Sequence, residues 1–234
     1  VADAGTMNVQ QVQKQVTDRI GNFVNQDFLN FNIDVPIETS SDGKAGRYLW
    51  TLEQTWKLTD TPLSNQTPAK TCYITENVDI TQLTVFDGNE FSGNQGALIS
   101  LYERRTDFVF AEGYYLTAYQ QSLSETAYRY WSEVTQVAER TGKLFEPPPG
   151  KIRTNFDKVN DNGEGNEVFG FFYATQIDTA RVYVAPSYAG NPTALCPWPP
   201  GTMSPPGREC PLEPCCDCLV AERSQLDPPD FWIE

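Results

Sequence analysis

The sequence contains no histidine. That absence removes Ser–His and Cys–His nucleophile activation, imidazole-bearing zinc sites and most haem ligation, since each requires an imidazole ring. Carboxylate chemistry is the acid–base option that remains, and it needs two acids within roughly 5–10 Å of each other in a cleft. Cationic side chains are scarce too: 17 Lys and Arg stand against 31 Asp and Glu, a formal charge of −14. So acidic a chain repels phosphate backbones and anionic lipid surfaces, which argues against a nucleic-acid partner. Long apolar runs are missing as well. No window approaches the ~20 consecutive apolar residues of a membrane-crossing helix, so attachment to a membrane would come through a lipid anchor lacking here or through a partner. No motif nominates a cofactor or a resident metal.

What is present is enough for a core: 234 residues, 39% of them apolar, suit one main domain with appendages. From residue 187 onward prolines crowd the chain, among them Pro192, Pro197, Pro199, Pro200, Pro205, Pro206, Pro211 and Pro214. Such a segment forms neither a strand ladder nor a core of its own. It also holds five of the six cysteines, Cys196, Cys210, Cys215, Cys216 and Cys218, with Cys72 far upstream. A metal cluster of Cys210, Cys215, Cys216 and Cys218 is one reading. The preferred one is three disulfides, formed in an oxidising compartment, that staple the tail over the domain. Adjacent Cys215 and Cys216 would then point to different partners, and Cys72 would reach from the body to the tail.

Periodicity sketches the body. Val9, Val12, Val16, Ile20 and Phe23 recur at roughly helical steps, broken at Gly21, so residues 1–27 are expected to be a short helix or an interface arm. Phe31-Asn-Ile-Asp-Val-Pro-Ile37 alternates as a strand with Ile33, Val35 and Ile37 inward, and Pro36 places it at a sheet edge. Residues 48–58 are a strong aromatic strand, residues 59–70 a polar loop, and residues 72–74 and 97–103 further strands. Glu112-Gly113 reads as a hairpin turn between Phe108-Val-Phe110 and an aromatic strand over residues 114–119. Residues 168–175 and 177–185, two continuous apolar runs, read as a central hairpin. The acids of residues 155–165 do not fall at the alternating positions of a calcium-binding EF-hand loop.

A principal helix is expected over residues 122–142. Ser122 and Glu125 have capping-box spacing; Ala127, Tyr130, Trp131, Val134, Val137 and Ala138 form one apolar stripe; Gly142 ends it. Pro147, Pro148 and Pro149 then force an extended run. The expected fold class is therefore α+β, mainly antiparallel β. One sheet or sandwich spans residues 28–186, packed by the helix with Tyr130 and Trp131 against Phe171 or Tyr173, and residues 187–234 form a stapled tail.

The runs Ser122-Leu-Ser-Glu-Thr-Ala-Tyr-Arg-Tyr-Trp131, Gly142-Lys-Leu-Phe-Glu-Pro-Pro-Pro149 and Val168-Phe-Gly-Phe-Phe-Tyr-Ala-Thr175 resemble the C-terminal portion of a Bacteroidota outer-membrane lipoprotein family, domain of unknown function 4249. The cysteine cluster from Cys210 to Cys218 and the closing Pro229-Asp-Phe-Trp232 resemble its C-terminus, so the likeness spans residues 48–232. It implies a secreted, membrane-tethered, non-enzymatic protein associated with a TonB-dependent transporter at the outer membrane. The family's lipidated leader and N-terminal immunoglobulin-like domain are not found in this sequence, and a chain opening on Val1 reads as a fragment or a processed product.

Three functions follow as expectations. The first is a cell-envelope accessory protein, at the cell surface or in the periplasm, acting by protein contacts with an outer-membrane protein or transporter subunit. The second is a glycan- or peptide-binding module using Tyr114 and Tyr115. Against it stands the reading that tyrosines fill half-buried strand positions with wet hydroxyls. The third is a carboxylate-dependent hydrolase, but Glu112, Glu125 and Glu133 have structural explanations as turn, cap and solvated face, so no catalytic residue is nominated. Phe231 and Trp232 would plug a groove or dock a partner.

Overall fold

The computed structural model describes residues 4–37, 43, 45–63, 66–78, 83–91, 96–139, 152, 154–156, 170–196, 210 and 212–233. In chain order its elements are β1 (Thr6–Thr17), β2 (Phe23–Val35), β3 (Arg47–Thr59), β4 (Thr71–Asn77), β5 (Thr84–Asp87), β6 (Ala97–Arg105), β7 (Tyr114–Ser122), α1 (Glu125–Glu139), β8 (Ile177–Val184), α2 (Glu213–Cys216) and β9 (Ser224–Gln225). They build a three-stranded sheet of order β1-β2-β6 and a larger one of order β8-β7-β3-β4-β9, with β5 also on β3. Every pairing is antiparallel. The mainly antiparallel α+β class is thus the observed one.

Strand alternation explains the core. Leu29, Phe31, Ile33 and Val35 of β2 are all fully buried, and so are Trp50 and Leu58 of β3 and Tyr114, Leu116 and Ala118 of β7, within one cluster drawn from both sheets. Phe31 and Tyr114 meet across it with ring centroids 5.8 Å apart. Each of the larger aliphatic and aromatic side chains among them contributes about 1.5–3 kcal/mol of burial. A polar network lies among them: Gln54 Oε1 accepts from the Tyr114 hydroxyl at 3.1 Å and from Arg104 Nη1 at 3.2 Å, while Arg104 Nη2 reaches Asp107 at 3.0 Å. Burial holds the Tyr114 phenol well above its ordinary value, so it acts as a donor, and the network fixes how the sheets sit.

On the other face of the larger sheet, α1 packs through Ala127, with Leu123 just before it, onto Leu49. Tyr130 stacks on Phe171 at 5.0 Å and Trp131 stands edge-on to Tyr173 at 6.2 Å, as the apolar stripe required.

Several local expectations are corrected. The cap of α1 is Ser124, whose Oγ accepts the Ala127 amide at 3.2 Å. Ser122 still belongs to β7, because its amide donates to the Gln176 carbonyl and its own carbonyl accepts from Thr175 Oγ1. Gly142 and the prolines from Pro147 to Pro149 lie outside the described residues. Phe108–Phe110 is a single 3-10 turn capped by Asp107, so no hairpin closes at Glu112-Gly113. Residues 170–176 have no regular structure, and β8 pairs with β7 instead of with them. Pro36 does not mark an edge: β2 is the middle strand of its sheet, and the proline follows its last residue. The helix considered for residues 7–23 is absent, and β1, the turn and the start of β2 occupy that stretch.

The tail is built into the larger sheet. Bridges join Cys72 to Cys218, Cys196 to Cys215 and Cys210 to Cys216, and β9 adds an edge strand beside β4. Arg223 takes a left-handed conformation, φ 55°, and sends Nη2 to Glu53 at 2.8 Å.

Candidate interaction site

The β1–β2 hairpin outruns its sheet. β6 ends at Arg105, opposite Phe28, and the Thr106 amide still reaches the Asp27 carbonyl, so among the described residues the four β2 residues from Phe23 to Gln26 have only β1 beside them. This two-stranded ribbon extends about 14 Å at the ~3.4 Å rise of an antiparallel strand. Its turn is locally specified: Asp18 Oδ1 accepts the amides of Ile20 at 2.9 Å and Asn22 at 2.8 Å, and Gly21 supplies a φ of 89°. The amide of Asn22, foremost among these donors, keeps the Asp18 carboxyl below its ordinary range.

The apolar positions change face along the ribbon. Near the body, Met7 and Val9 lie opposite Ile33 and Phe31 on the core side. Beyond Gln11 and Leu29 that same side carries Gln13 and Gln15 opposite Asp27 and Asn25. The opposite side gains Val12 across from Phe28 and Val16 across from Val24. Lys14 lies over the Phe28 ring at 5.6 Å and reaches Glu103 of β6 at 2.5 Å. At the tip Ile20 is 82% exposed and Phe23 72% exposed. This switch made the stretch look helical: Val9 belongs to one face, Val12 and Val16 to the other, so a two-residue repeat with a phase change imitates steps of three and four. Exposure at the tip has no sequence signal of its own.

The residues nominated for ligand contact lie elsewhere. Tyr114 is 0% and Tyr115 6% exposed, so neither offers a free ring face for stacking. Tyr114 packs between Phe31 and Phe110, and Tyr115 lies under Phe231 and Trp232 at 5.3 and 5.1 Å. Phe231 and Trp232 are thereby occupied by their own chain, with the Arg181 guanidinium 4.5 Å from the Phe231 ring. Glu112 accepts from the Thr59 amide and hydroxyl, and Glu125 pairs with Arg129. Among the described residues no group of three or more Cys, Asp or Glu is placed to hold a metal ion, and no helix is long and apolar enough to cross a membrane.

The family described as domain of unknown function (DUF4249) matches residues 3–181. The chain belongs to that family. The DUF4249 match takes in the whole ribbon and both sheets up to Arg181 in β8, whereas the resemblance read from the sequence began only at residue 48 and ran on into the tail. Neither the curated proteins nor the solved structures searched contain a match to the chain.

Proposed function

We propose that this DUF4249 chain is a non-enzymatic accessory protein of the cell envelope, associated with the outer membrane, and that it works by protein contacts made through the β1–β2 ribbon. Its partner is a TonB-dependent transporter or a similar envelope complex. The ribbon carries the reading. An isolated two-stranded hairpin is marginal in water, yet this one holds Ile20 and Phe23 in solvent at its far end, and each would contribute about 1.5–3 kcal/mol on being covered. Three disulfides in the described structure suit an oxidising compartment outside the cytoplasm. The acidic body favours neither nucleic acid nor an anionic lipid surface, so a lipid anchor or the partner itself would hold the chain at the membrane. A glycan platform at Tyr114 and Tyr115 loses its support with their burial.

Site-specific photo-crosslinking in living cells tests this. A photoreactive residue in place of Phe23 is expected to give a discrete adduct with an outer-membrane protein. That adduct should disappear when Ile20→Asp is added and should not form from the exposed helix position Arg129. Failure to form any adduct at the tip, or identical adducts from both positions, refutes the reading.

A further inference from the structure

The ribbon offers more than its tip. In an antiparallel pair the N–H and C=O of one residue point to the same side, and successive residues alternate. The Tyr188 hydroxyl donates to the Val9 carbonyl at 2.8 Å, from the side of β1 away from β2. On the far side of β2, the Thr106 amide donates to the Asp27 carbonyl at 3.0 Å. Both contacts put the odd-numbered residues of the ribbon outward. Gln11, Gln13, Gln15 and Thr17 therefore turn their main-chain groups away from β2, while Val12, Lys14 and Val16 face it. β1 is the terminal strand of its sheet.

Tyr188 closes the first part of this edge, since its hydroxyl takes Val9 and its carbonyl accepts from the Gln11 side-chain amide. From Gln13 to Thr17 no described strand lies alongside. Proteins usually blunt such an edge with proline, a bulge or a projecting lysine. Here the register from Thr6 to Thr17 is unbroken, there is no proline, and the one charge, Lys14, folds back over Phe28 toward Glu103. Among the described residues nothing covers the lane, and its register is unbroken.

We propose that residues 13–17 of β1 take up an extended segment of the partner polypeptide as an added strand. This deepens the docking reading above and rests on it. Main-chain bonds to Gln13, Gln15 and Thr17 would set the register, as in strand addition to other open sheet edges. Side chains of the incoming strand then fall alternately beside Val12 and Val16 on one face and beside Gln13 and Gln15 on the other. The occupant is therefore a basic-flanked segment, apolar at alternate positions and poor in acids, because the chain it approaches carries a net charge of −14. The same charge opposes a second copy of this chain as the occupant.

The test uses proline at an outward position. Gln15→Pro removes a main-chain donor from the lane and none from the β1–β2 ladder, a placement edge strands tolerate; Gln15→Thr keeps the donor. Adduct yield from the photoreactive residue at position 23 is expected to be at least tenfold lower in Gln15→Pro than in Gln15→Thr. Raising the salt concentration should lower it further. Full yield from Gln15→Pro overturns strand addition while leaving tip docking intact. An adduct with a second copy or with lipid overturns the stated occupant, and no adduct in the parent protein removes the docking reading itself. Should Gln15→Pro prove misfolded, amide hydrogen exchange decides: in the cross-linked complex the Gln13, Gln15 and Thr17 amides should slow at least tenfold relative to the free protein, and unchanged rates refute the proposal.

Discussion

The backbone amide of Cys218 donates to Oδ2 of Asp60 at 3.2 Å across 158 positions of sequence. Oδ1 of the same carboxylate accepts the Lys70 amide at 2.7 Å, and the Lys70 ammonium stands 3.8 Å from Oδ2 while reaching Asp217 at 2.6 Å. Asp60 is 0% exposed. One buried acid thus ties the polar loop before β4 to the stapled tail, beside the bridge from Cys72 to Cys218. Asp60→Ala leaves the buried Cys218 amide and the half-buried Lys70 amide without acceptors and is expected to cost about 3 kcal/mol. Urea unfolding should show this as a lower midpoint with an unchanged slope; a loss below about 1 kcal/mol would mean water replaces the carboxylate.

Much of this frame can be read from residue spacing, and the exceptions have particular causes. Residues 48–58 and the helix stripe were legible because each repeat holds one phase: Tyr48, Trp50, Trp56 and Leu58 keep to the core side, and Ala127 and Trp131 keep to one helix face. The ribbon was not, because its apolar residues change sides between Val9 and Val12. The apolar run of residues 168–175 reads as a strand, but Phe171 and Tyr173 are apolar because they lie against α1, not because they join a ladder. That the chain's last aromatics would land on Tyr115 is a tertiary fact with no local signature.

The helix start offers a second test, since two serines compete for it. Ser124→Ala removes the acceptor of the Ala127 amide and should cost about 1 kcal/mol. Ser122 contributes only its main-chain groups to the contacts with Thr175 and Gln176, so Ser122→Ala should shift the urea midpoint by less than about 0.5 kcal/mol. Equal losses from both would contradict the assignment of Ser124.

Acid should weaken the fold in a way traceable to Asp87. Burial pushes its carboxyl upward, but the side-chain and main-chain amides of Asn89 and the Arg47 guanidinium at 2.7 Å outweigh it, leaving the folded value below the ordinary 3.8. A carboxyl depressed in the folded state stabilises above its unfolded value and loses that contribution as pH falls through the folded one. Lys70, through its hydrogen bond, lowers Asp217 in the same sense. Urea midpoints should hold level down to about pH 5 and decline below 3.8. In Arg47→Gln the decline should be shallower, since Asp87 then titrates closer to its unfolded value. An identical acid slope in both proteins would assign the loss to other groups.

Trp232 closes the outer face of the larger sheet, with its ring centroid 4.9 Å from Tyr73, 5.1 Å from Tyr115 and 6.3 Å from Tyr183. The space beneath it exists because position 113 is glycine: a Cβ there would lie 3.2 Å from Trp232 Cζ2 and 3.1 Å from the Tyr183 hydroxyl, and its φ of 115° is one that side-chain-bearing residues rarely adopt. Trp232→Ala forfeits three aromatic contacts, each worth about 0.5–1.5 kcal/mol beyond burial, and should cost about 3 kcal/mol. Gly113→Ala should cost at least as much as backbone strain alone, about 1–3 kcal/mol. If its side-chain clash acts on the indole, the two losses will not add: the double variant should fall short of the sum by more than about 0.5 kcal/mol. A strictly additive pair would show that Gly113 serves the backbone alone and that Trp232 seats itself independently of it.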